Sequence, residues 1–300
     1  MSRYKIRLTN LVEEEVYYCV QPMMSEVGKD GNMIIPKNLV KFVAFLFVQH
    51  GIKWTEIGTA FFLNVTEGET ISTYIVTCKH VIKESRKKDP KCIIYLRLNR
   101  FNGPGVDYVP INSEWVYHNQ KEIDIAVALH IPDASRKLFI GAYEIPNGVL
   151  TRKEEQERKF SVPLGFDVAF VGLFPHFKGK ERNYPVVRQG RVAMLTDEKI
   201  EGWYGESTYY FLEAQAYPGN SGSPVFVPVR FPNSQNTEWL IWGVVHGFYP
   251  HEQLIYHDVR NEGKLLYSHF GLSLVTPIDY VLDILNGKVF MEQRKKNVKG

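Results

Sequence analysis

The sequence predicts an all-β protein closed by a C-terminal helix, and three observations carry that assignment. Short apolar runs recur along the chain, at 39–48, 57–65, 73–78, 92–98, 123–130, 168–174, 186–195, 209–214, 224–229, 239–245 and 271–275. Turn-forming stretches such as Asn102-Gly103-Pro104-Gly105 and Phe231-Pro232-Asn233-Ser234 punctuate them. A clear helical period is found only near the end of the chain. Many short strands at this spacing build a sandwich or barrel rather than alternating β and α units.

Residues 1–37, which include Glu13-Glu14-Glu15 and Gly28-Lys29-Asp30-Gly31-Asn32, form an extension. It is expected as an extra hairpin, or as a segment that covers a cleft or meets a partner. The longest apolar stretch follows, Phe42 to Val48. It falls far short of the roughly 20 residues that cross a bilayer and reads as a buried strand. Asn64-Val65-Thr66 has the form of a glycosylation sequon and reads as a turn. The run Tyr74-Ile75-Val76-Thr77-Cys78-Lys79-His80-Val81-Ile82 is β-type and delivers a histidine at its end. In Glu122-Ile123-Asp124-Ile125-Ala126-Val127-Ala128-Leu129 an aspartate opens another strand. Residues 133–161 form a connector whose charge run, 151–159, reads as a solvated loop or short exposed helix with a capping box in Thr151 and Glu154. Thr276 as N-cap, Pro277 in the first turn, and Ile278, Val281, Leu282 and Leu285 on one face predict the closing helix. Residues 288–300, with Arg294-Lys295-Lys296-Asn297-Val298-Lys299, read as a solvated basic tail.

Composition narrows the function classes. A 44% hydrophobic and 13% aromatic share in 300 residues supports a packed core and argues against disorder. A net charge of +3, from 36 basic and 33 acidic residues, gives no electrostatic case for a nucleic-acid partner. Neither an apolar signal segment near Met1 nor a membrane-length run is visible, and Cys19, Cys78 and Cys92 are scattered and odd in number. A cytoplasmic, reducing location away from the membrane is expected. The nine histidines form no zinc-type spacing and no phosphate loop occurs, so neither metal nor cofactor is expected.

Chemistry concentrates in Tyr217-Pro218-Gly219-Asn220-Ser221-Gly222-Ser223-Pro224-Val225-Phe226. Ser221 lies on a glycine-rich turn, where its hydroxyl is exposed and nearby backbone N–H groups are unobstructed. Such N–H groups can receive the charge that develops on a substrate carbonyl oxygen. A serine hydroxyl also needs a base, and the base works best when a buried carboxylate orients it. His80 and Asp124 supply candidates, 44 residues apart, with Ser221 a further 97 on.

His80, Asp124 and Ser221 in this order and spacing resemble the chymotrypsin-like serine peptidases, over roughly residues 40–285. The resemblance implies two antiparallel six-stranded β-barrels with a C-terminal helix. Residues 38–132 would carry His80 and Asp124, residues 162–287 would carry Ser221, and the site would lie in the cleft between them. It implies a polypeptide substrate, Ser221 as nucleophile, His80 as base, Asp124 as its orienting carboxylate, and the Gly219 and Ser221 N–H groups as oxyanion hole. Asn220 stands where many secreted members carry aspartate, which points to the bacterial branches with HtrA-type and glutamyl-endopeptidase-type domains. The family's primary-pocket floor maps to Gln215, and its walls to 243–248 and 271–273, hence His246, Gly247 and Gly271. His246 lies near a position where glutamyl endopeptidases receive an acidic side chain; a wall histidine without ligand duty is the preferred reading. The alternative class is a catalytically silent barrel pair acting as a protein-binding module, or a peptidase gated by a regulatory protein partner.

Overall fold

The computed structural model describes residues 35–299 apart from 102, 133–135, 137, 139, 146–148, 158–160, 203, 231–236 and 257–262, with short strand pieces before residue 35. The expected N-terminal extension therefore lies almost wholly outside the described residues, as do parts of the connector. The first sheet contains β1 (Val43–His50), β2 (Lys53–Glu67), β3 (Thr70–Thr77), β4 (Ile94–Asn99), β5 (Val106–Pro110), β6 (Val116–Tyr117), β7 (Ala126–His130) and β8 (Tyr143–Ile145). Its order is β6-β7-β3-β2-β1-β4-β5, antiparallel throughout, with β8 beside β2 in parallel. The second contains β9 (Asp167–Gly172), β10 (Val186–Leu195), β11 (Tyr210–Glu213), β12 (Pro224–Arg230), β13 (Thr237–Tyr256) and β14 (Gly263–Pro277). Here the order β12-β9-β10-β11-β14-β13 closes through β12 and β13 into a six-stranded barrel. In the first half seven strands lie along the path of the sheet, with β8 beside β2.

Apolar runs become strands because both of their faces are covered. Val43 to Val48 of β1 are all buried, as are Phe61, Phe62 and Leu63 of β2 and Tyr74, Ile75 and Val76 of β3. One apolar cluster spans both halves, joining most of these side chains to Val171, Phe226, Ile241 and Val244 of the second barrel, while Phe45 and Phe47 pack on Leu173 in a cluster of their own. A separate cluster around Phe170, Leu212, Val225 and Trp242 fills the second barrel. Each such side chain contributes roughly 1.5–3 kcal/mol by leaving water. The shared cluster fixes how the halves meet, and so where the cleft lies. Asn64 is not in a turn. It is buried in β2, where its Oδ1 accepts the Thr73 hydroxyl at 2.8 Å.

Helices are more numerous than expected. α1 (Lys79–Lys88) follows β3 at once, burying Val81 and Ile82 and ending in Arg86, Lys87 and Lys88, which suit the negative helix C-terminus. α2 (Arg152–Glu157) lies in the connector, where the Arg152 N–H donates to Asp279 Oδ1 and its Nε to the Tyr210 hydroxyl, both at 3.1 Å. The Glu154 side chain of the expected capping box lies outside the described residues. α3 (Asp279–Leu285) is the predicted closing helix, with Val281, Ile284 and Leu285 buried. Its N-cap is Ile278 rather than Thr276, which still belongs to β14. The basic end is a docked helix, α4 (Lys288–Lys299), not a solvated tail. Phe290 packs into the core beside Tyr74, and Arg294 donates to Glu67 at 2.7 Å and to the Leu285 carbonyl at 2.9 Å.

Candidate active site

Ser221 sits in the loop between β11 and β12, and strand β2 grips that loop from the other half of the molecule. The Thr59 N–H donates to the Ser221 carbonyl at 3.0 Å, and the Thr59 hydroxyl donates to the Gly219 carbonyl at 2.7 Å while accepting the Leu173 N–H at 2.9 Å. Gly222 has φ +88°, and a Cβ there would collide with the Thr59 carbonyl and the Thr77 hydroxyl. Only glycine meets both demands. Asn220 is buried, accepting the Tyr217 N–H and donating to the Leu173 carbonyl, each at 2.8 Å. Its amide thus braces the loop within itself through Tyr217 and against the segment after β9 through Leu173. With the two flanking carbonyls held, the Gly219 and Ser221 N–H groups donate to no protein acceptor among the described residues. That is the condition an oxyanion hole requires.

His80 occupies the first turn of α1, and Asp124 lies just before β7, which pairs with β3 at Ala126↔Thr77. The pairing brings the carboxylate to the helix start. The His80 N–H donates to Asp124 Oδ1 at 2.8 Å, and His80 Nδ1 lies 2.6 Å from Oδ2. Lys79 Nζ secures the same segment through the Ile123 carbonyl at 2.7 Å. Asp124 is fully buried. Burial by itself would raise its pKa, but the His80 charge and hydrogen bonds from His246 and His80 outweigh it and hold the carboxyl well below the usual range. Cys78 also lies close, its thiol donating to the Val245 carbonyl at 3.1 Å. Burial, then the Asp124 charge, pushes this thiol well up, so it stays protonated. Cys78, His80 and Asp124 have ligand-type atoms within 4.8 Å of one another. A neutral thiol and an imidazole Nδ1 already committed to Asp124 suit a hydrogen-bond network better than a cation.

His80 and Ser221 line one cavity of about 430 Å³. Among the described residues no hydrogen bond joins their side chains; the Ser221 hydroxyl donates to the His246 carbonyl at 3.2 Å. His246 and Gly247 also line the cavity, whereas Gln215 and Gly271 do not. Gln215, expected at the pocket floor, is exposed, and its Oε1 accepts the Tyr217 hydroxyl at 2.8 Å. Extended backbone alternates its faces, and Ala214 and Ala216 take the buried positions on either side of it. Tyr204, Tyr217, Pro218, Phe248 and Glu84 complete the walls. Glu84 lies one helical turn beyond His80, a relation visible only once α1 is recognised. Tyr204 stacks on His80, ring centroids 6.5 Å apart, from the turn between Ile200–Gly202 and Gly205–Ser207. Nothing in the local sequence announces that contact.

No family model matches the sequence, and no curated protein does. Among solved structures, the chain is similar to the MamO protease domain from Magnetospirillum magneticum, with a TM-score of 0.50 at 14% identity, covering 84% of this chain and all of that one. Rv3671c protease in an inactive form overlaps more loosely, with a TM-score of 0.41 at 14% identity over 82% of this chain and 88% of that one. At such identity the first likeness bears on architecture. Together with the closed barrel, the second sheet and the C-terminal helices, it gives this chain the chymotrypsin-like double-barrel fold.

Proposed function

We propose that the chain is a serine endopeptidase that hydrolyses polypeptides through an acyl-enzyme on Ser221. The observation that carries this reading is a histidine clamped by a buried carboxylate on one nitrogen, sharing a cavity with a serine on a glycine-framed turn. In the step proposed, Ser221 Oγ attacks the scissile carbonyl as His80 Nε2 takes the hydroxyl proton. The carbonyl electrons move onto oxygen, stabilised by the Gly219 and Ser221 N–H groups. The carbon–nitrogen bond then breaks, and His80 returns the proton to the leaving amine. Water repeats the sequence to release the new carboxylate. Asp124 balances the imidazolium throughout, and the reaction needs neither metal nor cofactor. A reducing, cytoplasmic setting belongs to the proposal: Cys78 and Cys92 are both outside disulfides, and no helix among the described residues is long and apolar enough to cross a membrane. Kinship to the bacterial HtrA-type and glutamyl-endopeptidase-type branches is proposed on Asn220 alone.

Labelling by a fluorophosphonate probe tests the reading. Wild type should be labelled and Ser221→Ala should not. His80→Ala should lose nearly all hydrolysis, on the order of 10⁴–10⁶-fold, with the double variant hardly worse because the members act as one unit. Labelling that survives Ser221→Ala would sink the assignment. One observation favours a second reading, a partner-gated enzyme: the Ser221 hydroxyl is bound to the His246 carbonyl instead of His80. Labelling that appears only when a regulatory protein is added would establish gating. Its absence under every condition would favour a silent binding module.

A further inference from the structure

Resting on that reading, one residue outside the cavity bears on its chemistry. Arg97 of β4 is buried, and its guanidinium meets no carboxylate among the described residues. Oxygens of one loop, the segment between β9 and β10, surround it instead. Its Nη2 donates to the Gly179 carbonyl at 2.6 Å and to the Lys180 carbonyl at 3.2 Å. Its Nη1 donates to the Lys178 and Arg182 carbonyls, at 3.2 and 3.5 Å, and to the Asn183 side-chain oxygen. Asn183 is buried too, and it returns the contact. Its amide donates to the Arg97 carbonyl at 2.6 Å, and its backbone N–H donates to Asn99 Oδ1 at 2.7 Å. A planar guanidinium suits this cage because it carries five N–H donors in a fixed fork.

The other end of the same loop meets the Ser221 turn. Leu173 gives its N–H to the Thr59 hydroxyl at 2.9 Å, and its carbonyl accepts the Asn220 amide at 2.8 Å. Pro175 then packs on Gly219: a Cβ built there would lie 3.0 Å from Pro175 Cγ and 3.3 Å from Leu173 Cδ2. A single turn, closed by the Phe177 N–H on the Phe174 carbonyl at 3.0 Å, separates Pro175 from the Arg97 cage. The chain from Leu173 to Asn183 is thus held by Arg97 at one end and rests on Gly219 at the other. We infer that Arg97 is a positioning residue of the active site: it seats this loop, and the loop keeps the Gly219 peptide where its N–H meets the developing oxyanion. Loosening that donor slows the chemical step and spares substrate binding, because the oxyanion exists only in the transition state.

The test compares Arg97→Met with Asn183→Ala, which removes one acceptor and leaves the guanidinium in place. Exhaustive fluorophosphonate labelling counts the competent sites, so kcat is expressed per site and unfolded protein drops out. In Arg97→Met, kcat per site should fall about tenfold with KM held, less than the roughly 10²–10³ that follows outright loss of an oxyanion donor. Asn183→Ala should show the same pattern more weakly. A purely structural role predicts fewer labelled sites, each turning over at the wild-type rate, and that result overturns the inference. So does a rise in KM with kcat unchanged. Amide hydrogen exchange supplies a readout independent of catalysis. In Arg97→Met, exchange should quicken at 174–184 and at 217–223 while 79–88 stays protected. Exchange that quickens at 174–184 alone, or everywhere alike, overturns the inference. If Arg97→Met fails to fold, Asn183→Ala decides by the same two measurements. Coupled exchange in a protein that hydrolyses nothing would sink the peptidase reading and leave Arg97 tied to the Ser221 loop.

Discussion

Thr59 does more for the Ser221 loop than its sequence context suggests. One hydroxyl closes two bonds, to the Gly219 carbonyl and from the Leu173 N–H, across the junction of the two halves. Thr59→Val keeps the shape and strands the buried Leu173 N–H, at a cost of roughly 1–3 kcal/mol, and the part-buried Gly219 carbonyl at a smaller one. We expect a lower urea midpoint and slower fluorophosphonate labelling, because the Gly219 peptide is no longer fixed; unchanged labelling would remove Thr59 from the support of the oxyanion hole. Asp124 gives a second test. Its folded pKa is depressed, so its stabilising contribution is complete above the ordinary carboxylate value near 4 and is lost as pH falls through the folded value. Stability should therefore decline below about pH 4, and Asp124→Asn should flatten part of that decline in urea titrations at several pH values. His80, Asp124 and Ser221 were legible because each stands at the edge of an apolar run with a motif around it. Thr59, Tyr204 and His246's contact with Asp124 were not, since each acts across the fold through a side chain that has no local signature.

Strands were easier to read than helices, for a physical reason. A buried strand announces itself as an unbroken apolar run, and the run at 73–78 became β3. The same run continues through Val81 and Ile82 with no side-chain cap at Cys78, so the start of α1 is hidden inside β-branched sequence. What decides for helix is tertiary: His80 must turn back to place both its N–H and its Nδ1 on Asp124. α4 was hidden in another way. Its buried stripe is Phe290 and Arg294, four residues apart, and a buried arginine reads as a solvated charge until its partners are known. Those partners are Glu67, Tyr74 and the Leu285 carbonyl. Arg294→Met keeps most of the apolar contact and leaves these acceptors unpaired. We expect a loss of about 1–3 kcal/mol, discounted because Glu67 is 42% exposed and stays hydrated. A thermal midpoint equal to wild type would mean that α4 is held by Phe290 alone.

At the scale of the molecule, substrate choice follows from how the two halves frame one cavity. Helix α1 contributes His80 and Glu84, the Ser221 loop contributes Tyr217 and Pro218, and β13 contributes Gly247 and Phe248. Family spacing placed Gln215 at the pocket floor, but spacing along the chain does not fix which face of an extended segment looks inward. In the fold Gln215 is exposed and Tyr217 lines the cavity in its place. Tyr204, Tyr217 and Phe248 give the walls an aromatic share, and Pro218 adds to their apolar surface. A lysine or arginine buried there would meet no charge except Glu84, and desolvating an unpaired cation costs several kcal/mol even after relaxation. His246 turns its Nδ1 to Asp124, so a substrate glutamate gains no donor from that nitrogen. Cleavage should favour uncharged, apolar or aromatic P1 side chains, and a P1 profile from a peptide library measures it. Glu84→Gln should leave that preference in place. If lysine or arginine dominates the wild-type profile and Glu84→Gln abolishes it, Glu84 is the floor of the pocket and the apolar assignment is wrong.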